Sequence, residues 1–371
     1  AGLNGGVTGR HSMRLINSRF ADEVHFFWDE RAFTLEEQTT QPIQDHIEMG
    51  FSGLNGQPDL DSLLNKMSGI DYYPKLFRFA FGTEDITEEK IQRALAQFVR
   101  SIQSFDSKFD AGRARSPNDG APFPNFTPLE NQGKQLFLAP PPNGAGCAGC
   151  HRPPEFDIDP NTRNNGVISV AGDPDAVDIT NTRAPTLRDA FNPSGELNGP
   201  LMHDGSMKSM EEVIEHYNAM ELHPLNFTLD PRLAGGPGQN GQRLNLTQQQ
   251  KDALIAFLKT LSGSNIYTDE KWSDPFDDNG GLTLTGGGIT GVFDEEFEKV
   301  RVYPNPTYGE LWIDGLPEDV RLQLVSMNGQ VLLDRFWNSN APLDVSSYPA
   351  GLYLLVVFVN DDIHQQKLVI R

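Results

Sequence analysis

Cys147-Ala148-Gly149-Cys150-His151 decides how the rest of this 371-residue chain is read, because C-x-x-C-H is the attachment motif of a c-type haem. Two thiols on one turn reach the two vinyl groups, and the adjoining imidazole supplies an axial nitrogen to the iron. The chain has no other cysteine, so a four-thiolate zinc site or a disulfide framework has no further sulfur to draw on. The competing readings of the same pair are a thioredoxin-like redox couple and a plain local disulfide.

Working outward from that motif, Thr127-Pro128-Leu129-Glu130 combines a capping box with proline at the first helical position, opening a helix that leads toward Cys147. Downstream, Ser209-Met210-Glu211-Glu212 starts a helix reaching about Met220, and Thr247-Gln248-Gln249-Gln250 starts another through Leu254, Phe257 and Leu258. Upstream, Ile91, Leu95, Phe98, Val99 and Ile102 are spaced for one apolar helical face, with Thr87 placed to cap its start. The proline- and glycine-rich stretch from Ser116 to Pro124 reads as a boundary between lobes. From Asp274 to Gly291 the sequence is acidic and glycine-rich, too poor in apolar residues to fold alone, and reads as a linker. Beyond about Val300 the period becomes two. Val320, Leu322 and Leu324 alternate with polar residues, Asn328-Gly329 marks a hairpin turn, and Leu352 to Val359 is a buried-strand run, which together predict a small antiparallel sandwich.

Composition narrows the function. A net charge of -21 argues against nucleic acid or an anionic membrane surface as a partner, since both recruit basic patches. No apolar run approaches membrane-spanning length, so no transmembrane segment is expected. Covalent haem attachment belongs outside the cytoplasm, so the protein is expected to be exported. A chain that begins Ala1-Gly2-Leu3-Asn4 reads as processed or truncated.

A six-coordinate haem needs a ligand opposite His151, and Met202, His203, Met207, Met210, His216, Tyr217 and Met220 are the candidates; spacing does not choose among them. Methionines at such positions also serve as gap-fillers in a core.

Several motifs resemble one family. Phe27-Trp28-Asp29-Glu30-Arg31-Ala32, Leu35-Glu36-Glu37-Gln38, Pro42 and Glu48-Met49-Gly50 resemble the first domain of bacterial di-haem cytochrome c peroxidases and the related MauG proteins. Gly146 to His151, Ala184-Pro185-Thr186-Leu187-Arg188 and Met202-His203-Asp204-Gly205-Ser206 resemble the second domain, in the same order, so the resemblance runs to about residue 262. It implies that Tyr217 is the sixth ligand of the Cys147/Cys150/His151 haem, with Met202 as the alternative. The Tyr217 slot holds methionine in the peroxidases and tyrosine in MauG-like proteins. A phenolate favours ferric iron, whereas a thioether raises the potential. The resemblance further implies that Trp28 lies between two haems and that Glu48 is the distal acid of a peroxide-binding haem, with Gln38 and Pro42 lining its pocket. Moving a proton between the oxygens of a bound peroxide is general acid-base work suited to a carboxylate. Asn17, Asn198 and Pro200 are implied to hold a calcium ion, largely through carbonyl oxygens. The family's first C-x-x-C-H should precede Trp28, and no cysteine precedes Cys147, so a second haem is expected on sequence upstream of Ala1.

At the other end, Val302-Tyr303-Pro304-Asn305-Pro306, Gly309-Glu310-Leu311, Tyr348-Pro349-Ala350-Gly351-Leu352-Tyr353 and the closing Lys367-Leu368-Val369-Ile370-Arg371 resemble a type A sorting domain of the type IX secretion system. Such a domain implies the type IX machinery as a partner and a destination in the periplasm, at the cell surface or in the medium.

The expected fold is mainly α, with two cytochrome c-like helical haem lobes followed by a small immunoglobulin-like β-sandwich. The divisions are residues 1–115, the remainder of the peroxidatic lobe; 116–266, the lobe with the C-x-x-C-H; 267–299, the linker; and 300–371, the sorting domain. The expected activity is reduction of hydrogen peroxide with electrons from a small redox protein or cytochrome. The alternatives are MauG-like oxidation of a protein or organic substrate and a mono-haem electron carrier.

Overall fold

The computed structural model describes residues 2–21, 25–158, 162–235, 241–276, 282, 301–315, 319–326, 330–338, 341–359 and 362–371. Two compact units divide the chain, 1–69 with 86–274 and 70–85 with 275–371. The helices in chain order are α1 (Leu35–Gln44), α2 (Leu60–Ser68), α3 (Tyr72–Phe81), α4 (Glu88–Ser101), α5 (Lys108–Arg113), α6 (Pro128–Leu138), α7 (Met210–Asn218), α8 (Gln248–Lys259) and the short α9 (Asn265–Thr268). All but α3 belong to the first unit.

Local signals set the helix starts. The hydroxyls of Thr34 and Thr87 accept from backbone N–H groups three residues on, opening α1 and α4. Thr127, Ser209 and Thr247 each complete a capping box, at α6, α7 and α8. Each such cap stabilises its helix by about 1 kcal/mol, because it satisfies N–H groups that the helix cannot.

The main core lies between α5, α6 and α8. Phe109, Phe123, Phe126, Phe137, Phe156 and Phe257 meet there with ring centroids 4.8–6.4 Å apart. The backbones of α6 and α8 approach so closely that a Cβ at Gly133 would stand 1.8 Å from the Ala253 carbonyl oxygen, so only glycine serves. The stretch expected as a boundary between lobes packs against α6. Phe123 is in the core, and the buried Lys134 ammonium donates to the carbonyls of Asp119 (2.6 Å) and Ala121 while stacking on the Phe123 ring. A buried ammonium must collect oxygens, and here it folds the connector onto α6.

A smaller core joins α1 to α4 through Leu35, Ala96 and Val99. The predicted face of α4 is only partly used. Ile91 and Val99 are buried, but Leu95 and Phe98 are exposed, because the contact with α1 is narrower than the apolar stripe. Two short hairpins complete the first unit, β1 (His151–Arg152) with β2 (Asp157–Ile158) and β3 (Ser169–Val170) with β4 (Asp173–Val177).

In the second unit the strands are β5 (Arg301–Tyr303), β6 (Glu310–Asp314), β7 (Asp319–Ser326), β8 (Val331–Asn338), β9 (Leu343–Asp344), β10 (Gly351–Val359) and β11 (Asp362–Ile370). They form two antiparallel sheets, ordered β11-β10-β7-β8 and β5-β6-β9, and both contribute to one apolar core. Val320, Leu322 and Leu324 point into it, as their alternation requires. The expected turn at Asn328-Gly329 and most of the expected linker lie outside the described residues. No helix among the described residues is long and apolar enough to cross a membrane.

Candidate functional site

Leaving α6, the chain turns at Gly146, whose φ of 71° places it in the left-handed region, and Cys147–Gly149 then forms a single helical turn. A Cβ at Gly146 would meet the Pro141 ring at 2.9 Å, so the turn that presents both thiols is specific to glycine. The two cysteines form no disulfide. They open onto a cavity of about 370 Å³ whose apolar wall includes Phe137, Leu201, Ile214, Leu244, Leu254 and Leu258, together with His151, Met202 and Tyr217.

Burial favours the neutral form of each potential ligand. It pushes the Cys147 thiol up to about 12 and brings His151 down to about 4. Neutral His151 donates through Nδ1 to the Phe156 carbonyl at 3.3 Å, which leaves the Nε2 lone pair for a metal. Burial also raises the Tyr217 phenol well above its ordinary value, opposed chiefly by the Asn165 amide.

Of the seven candidates for the opposite ligand, Met202, His203, Met210 and Tyr217 line the cavity, whereas Met207, His216 and Met220 do not. Met210 belongs to the core, and His203 engages the Ser169 carbonyl through Nε2 at 2.8 Å. Met202 and Tyr217 converge on one group: the Asn165 amide nitrogen is 3.4 Å from Met202 Sδ and 3.3 Å from Tyr217 Oη. Met202 also has a positive φ of 65°, strained for a residue with a side chain. Asn165 and this strain were invisible in the sequence, since no local pattern links residue 165 to 202 and 217.

A haem requires an apolar slot with cationic or donor groups for its two carboxylates, and the cavity supplies both. Arg14, Arg163 and Arg183 stand on its wall, and the Arg14 Nε is buried without a hydrogen-bond partner. The residues present therefore fit a c-type haem held by Cys147, Cys150 and His151.

Trp28 is buried at the cavity wall. Its Nε1 donates to the His11 carbonyl at 2.6 Å, and its ring meets His203 edge-on at 6.3 Å. The neighbouring Asp29 binds Arg10 at 2.6 Å, and Arg10 also binds Asp178 at 2.6 Å, which ties the Trp28 segment to the strand-bearing loop. Gln38 and Pro42 lie one turn apart on α1, with Glu48 in the turn that follows; none of the three lines the cavity. Burial, reinforced by Asp45, raises the proton affinity of Glu48 above that of an ordinary glutamate, against an opposing pull from Arg31. Of the three residues expected to hold calcium, Asn198 and Pro200 are on the cavity wall, and Asn17 is buried, with its amide bonded to Ser104 and Glu155.

Comparisons with known proteins give the family of the chain. Residues 1–116 match the di-haem cytochrome c peroxidase family, and residues 301–371 match the secretion system C-terminal sorting domain. The methylamine utilization protein MauG of Methylophilus methylotrophus is 30% identical over 267 residues, covering 69% of each chain. The chain belongs to the MauG and di-haem cytochrome c peroxidase family. The cytochrome c551 peroxidase of Nitrosomonas europaea is 27% identical over 250 residues, covering 64% of this chain and 61% of that one. Among solved structures, a MauG-like protein associated with microbial copper homeostasis superposes with a TM-score of 0.54 at 26% identity, over 74% of this chain and 81% of the other. Family membership makes c-type haem the expected cofactor and oxidoreduction the expected class of chemistry, and the sorting domain points to export.

Proposed function

We propose that this MauG-family chain is part of an exported di-haem peroxidase that reduces hydrogen peroxide to water, taking up two electrons and two protons per peroxide. The observation that supports it best is the convergence of Cys147, Cys150, His151, Tyr217 and Met202 on one apolar cavity with Trp28 in its wall. When bound, haem supplies one-electron redox chemistry. Cys147 and Cys150 would hold it covalently, His151 would offer Nε2 and Tyr217 its phenolic oxygen, with Met202 as the alternative. Trp28, held by its bond to His11, would offer electrons an aromatic route to a second haem of the kind that the family resemblance implies. Glu48, with its raised proton affinity, carries the proton between peroxide oxygens, and Gln38 and Pro42 line its pocket. The electron donor is a small redox protein or cytochrome. Steady-state turnover of peroxide with a reduced cytochrome tests the reading in a protein that includes the upstream segment.

Tyr217 in the cavity wall favours a second reading, MauG-like oxidation of a protein or organic substrate, because an anionic oxygen ligand stabilises oxidised iron. Peroxide-dependent oxidation of such a substrate without turnover of a reduced cytochrome would select it. A chain loaded with one haem that shows neither activity would be an electron carrier.

Residues 300–371 act as the address for the type IX machinery. Deleting them is expected to leave the haem spectrum unchanged, since every residue that lines the haem cavity lies outside this segment. In a host with that machinery, the same deletion should hold the protein in the periplasm. Normal levels of the truncated protein in the medium or at the cell surface would refute the sorting role.

A further inference from the structure

Glu48 stands off the cavity, yet one run of the chain touches both its turn and the cavity wall. Residues 2–6 close on themselves: the Gly2 N–H donates to the Gly6 carbonyl (2.8 Å), and Leu3–Gly5 forms a single helical turn. From that turn the Leu3 N–H donates to the carbonyls of Ile47 (2.7 Å) and Glu48 (2.9 Å). The fit leaves no room for a side chain. A Cβ at Gly2 would stand 2.1 Å from the Ile47 carbonyl oxygen and 3.1 Å from Glu48 Cα, and one at Gly6 would stand 2.7 Å from Ile47 Cγ2.

The Glu48 backbone is thereby held from two sides. Asp45 Oδ1 accepts from the N–H groups of Ile47 (2.8 Å) and Glu48 (2.9 Å), and the Glu48 carbonyl accepts from Leu3. With both of its backbone polar groups engaged, the place of its carboxyl is left to its own side-chain torsions. Past Gly6 the same run follows the β3–β4 hairpin to the cavity. A Cβ at Gly172 would stand 3.3 Å from Val7 Cγ1, and the Gly9 carbonyl accepts from the Ala171 N–H (3.1 Å). The His11 N–H donates to the His203 carbonyl (2.5 Å), and the His11 carbonyl accepts from Trp28 Nε1 (2.6 Å).

We propose that residues 2–11 are a strap that fixes the Glu48 turn in one frame with Trp28 and the Met202–His203 wall, with Gly2 and Leu3 as positioning residues for the Glu48 carboxyl. The acid role of Glu48 in the peroxidase reading is the premise, and the strap is what keeps an acid outside the cavity at a constant place relative to it. Proton transfer works only within hydrogen-bond reach, so the turn that carries the acid has to be held. Gly2 is required because the strap lies directly on the Ile47–Glu48 backbone, and Leu3 acts through its N–H and not through its side chain, which is exposed.

The test reads Glu48 directly, as the titration of its carboxyl by isotope-edited NMR in the haem-bearing chain, the signal being the one that Glu48→Gln removes. Asp45 and Arg31 are the charges that act on it, and burial with Asp45 outweighs Arg31. Gly2→Ala must push strap and turn apart, so Glu48 gains water and loosens from Asp45, and its titration is expected to move down toward that of an ordinary glutamate. Gly5→Asn is the control, since a Cβ there meets nothing and asparagine tolerates the φ of 77°; Glu48 is expected to titrate as in wild type. A folded Gly2→Ala protein with an unshifted Glu48 would overturn the proposal. If Gly2→Ala does not fold, Gly6→Ala decides by the same reading: it should shift Glu48 downward, and adding Ile47→Ala, which deletes the methyl it strikes, should reverse the shift. No shift in folded Gly6→Ala would then overturn it. In a protein that includes the upstream segment, Gly2→Ala is also expected to lower peroxide turnover roughly tenfold or more, as misplacement of a reacting group does. With Glu48 already glutamine the same change should cost less than about twofold, because two changes acting through one group do not add. Equal losses in both backgrounds would overturn action through Glu48. A shifted titration with turnover indifferent to Glu48→Gln would count against the acid role of Glu48 and in favour of the strap.

Discussion

The cavity at Cys147 and the end of α1 at Glu48 are both partly desolvated, and burial favours the neutral form in each, yet the consequences differ. Around the cavity the wall is apolar, and the thiol, imidazole and phenol are all held neutral, with His151 near 4 and Cys147 near 12. Neutral groups keep their lone pairs in reserve, which suits ligands awaiting an iron centre. At the α1 end, Asp45 raises the proton affinity of Glu48 while Arg31 lowers it, which leaves a carboxyl able to both accept and release a proton. The difference shows that burial by itself does not define a role. At Glu48 opposing charges act on a half-buried acid, whereas at the cavity burial is the first cause for the thiol, the imidazole and the phenol.

The sharpest way to break this comparison is to remove the thiols. Replacing both Cys147 and Cys150 by alanine is expected to abolish covalent haem, so that acid solvent extracts all of it. Haem that remains attached would remove the cavity from the argument. Next in size is Glu48→Gln, which preserves shape but cannot exchange the proton. In a protein that includes the upstream haem motif, peroxide turnover should fall roughly a hundredfold or more while the spectrum of the Cys147/Cys150 haem stays the same. Turnover equal to wild type would reduce Glu48 to a helix-end acid.

A smaller effect divides the two ligands on the cavity wall. Tyr217→Phe is expected to change the ferric spectrum and raise the reduction potential, because an anionic oxygen no longer stabilises iron(III). If Tyr217→Phe leaves the spectrum alone and Met202→Leu changes it, Met202 is the ligand. Asn165 donates to both, so Asn165→Leu should move the potential of whichever one binds.

What could be read in the sequence follows the range of the interactions. The capping residues Thr87, Thr127, Ser209 and Thr247 reach backbone only three positions away, so their four-residue patterns marked the helix starts. The C-x-x-C-H is likewise local. Leu95 and Phe98 are exposed because the width of the α1 contact, which no helical period encodes, decides how much of the stripe is used. The 116–124 stretch is held against α6 by Lys134, more than ten residues away, a contact of which its proline and glycine content carries no trace. Asn165 and Arg10 went unread for the same reason: each acts on residues far away in the chain.

The smallest expected effect concerns Asp189, a carboxyl with no counterpart at the α1 end. It is fully buried beside Arg188 and Asp106, accepts from the Gly263 N–H at 2.9 Å, and burial raises it to about 6. A carboxyl raised on folding binds its proton more tightly in the native state than in the unfolded one. Its contribution is therefore fully present below about pH 4 and is lost as pH rises through about 6. The shift of about two pH units corresponds to at most roughly 3 kcal/mol, with less expected because native structure relaxes around an ionised group. Asp189→Asn keeps an oxygen for Gly263 and cannot ionise. The difference in unfolding free energy between wild type and Asp189→Asn, measured from pH 4 to 7, should therefore move steadily in favour of the variant. A difference independent of pH over that range would mean that Asp189 ionises as readily in the folded protein as in the unfolded chain.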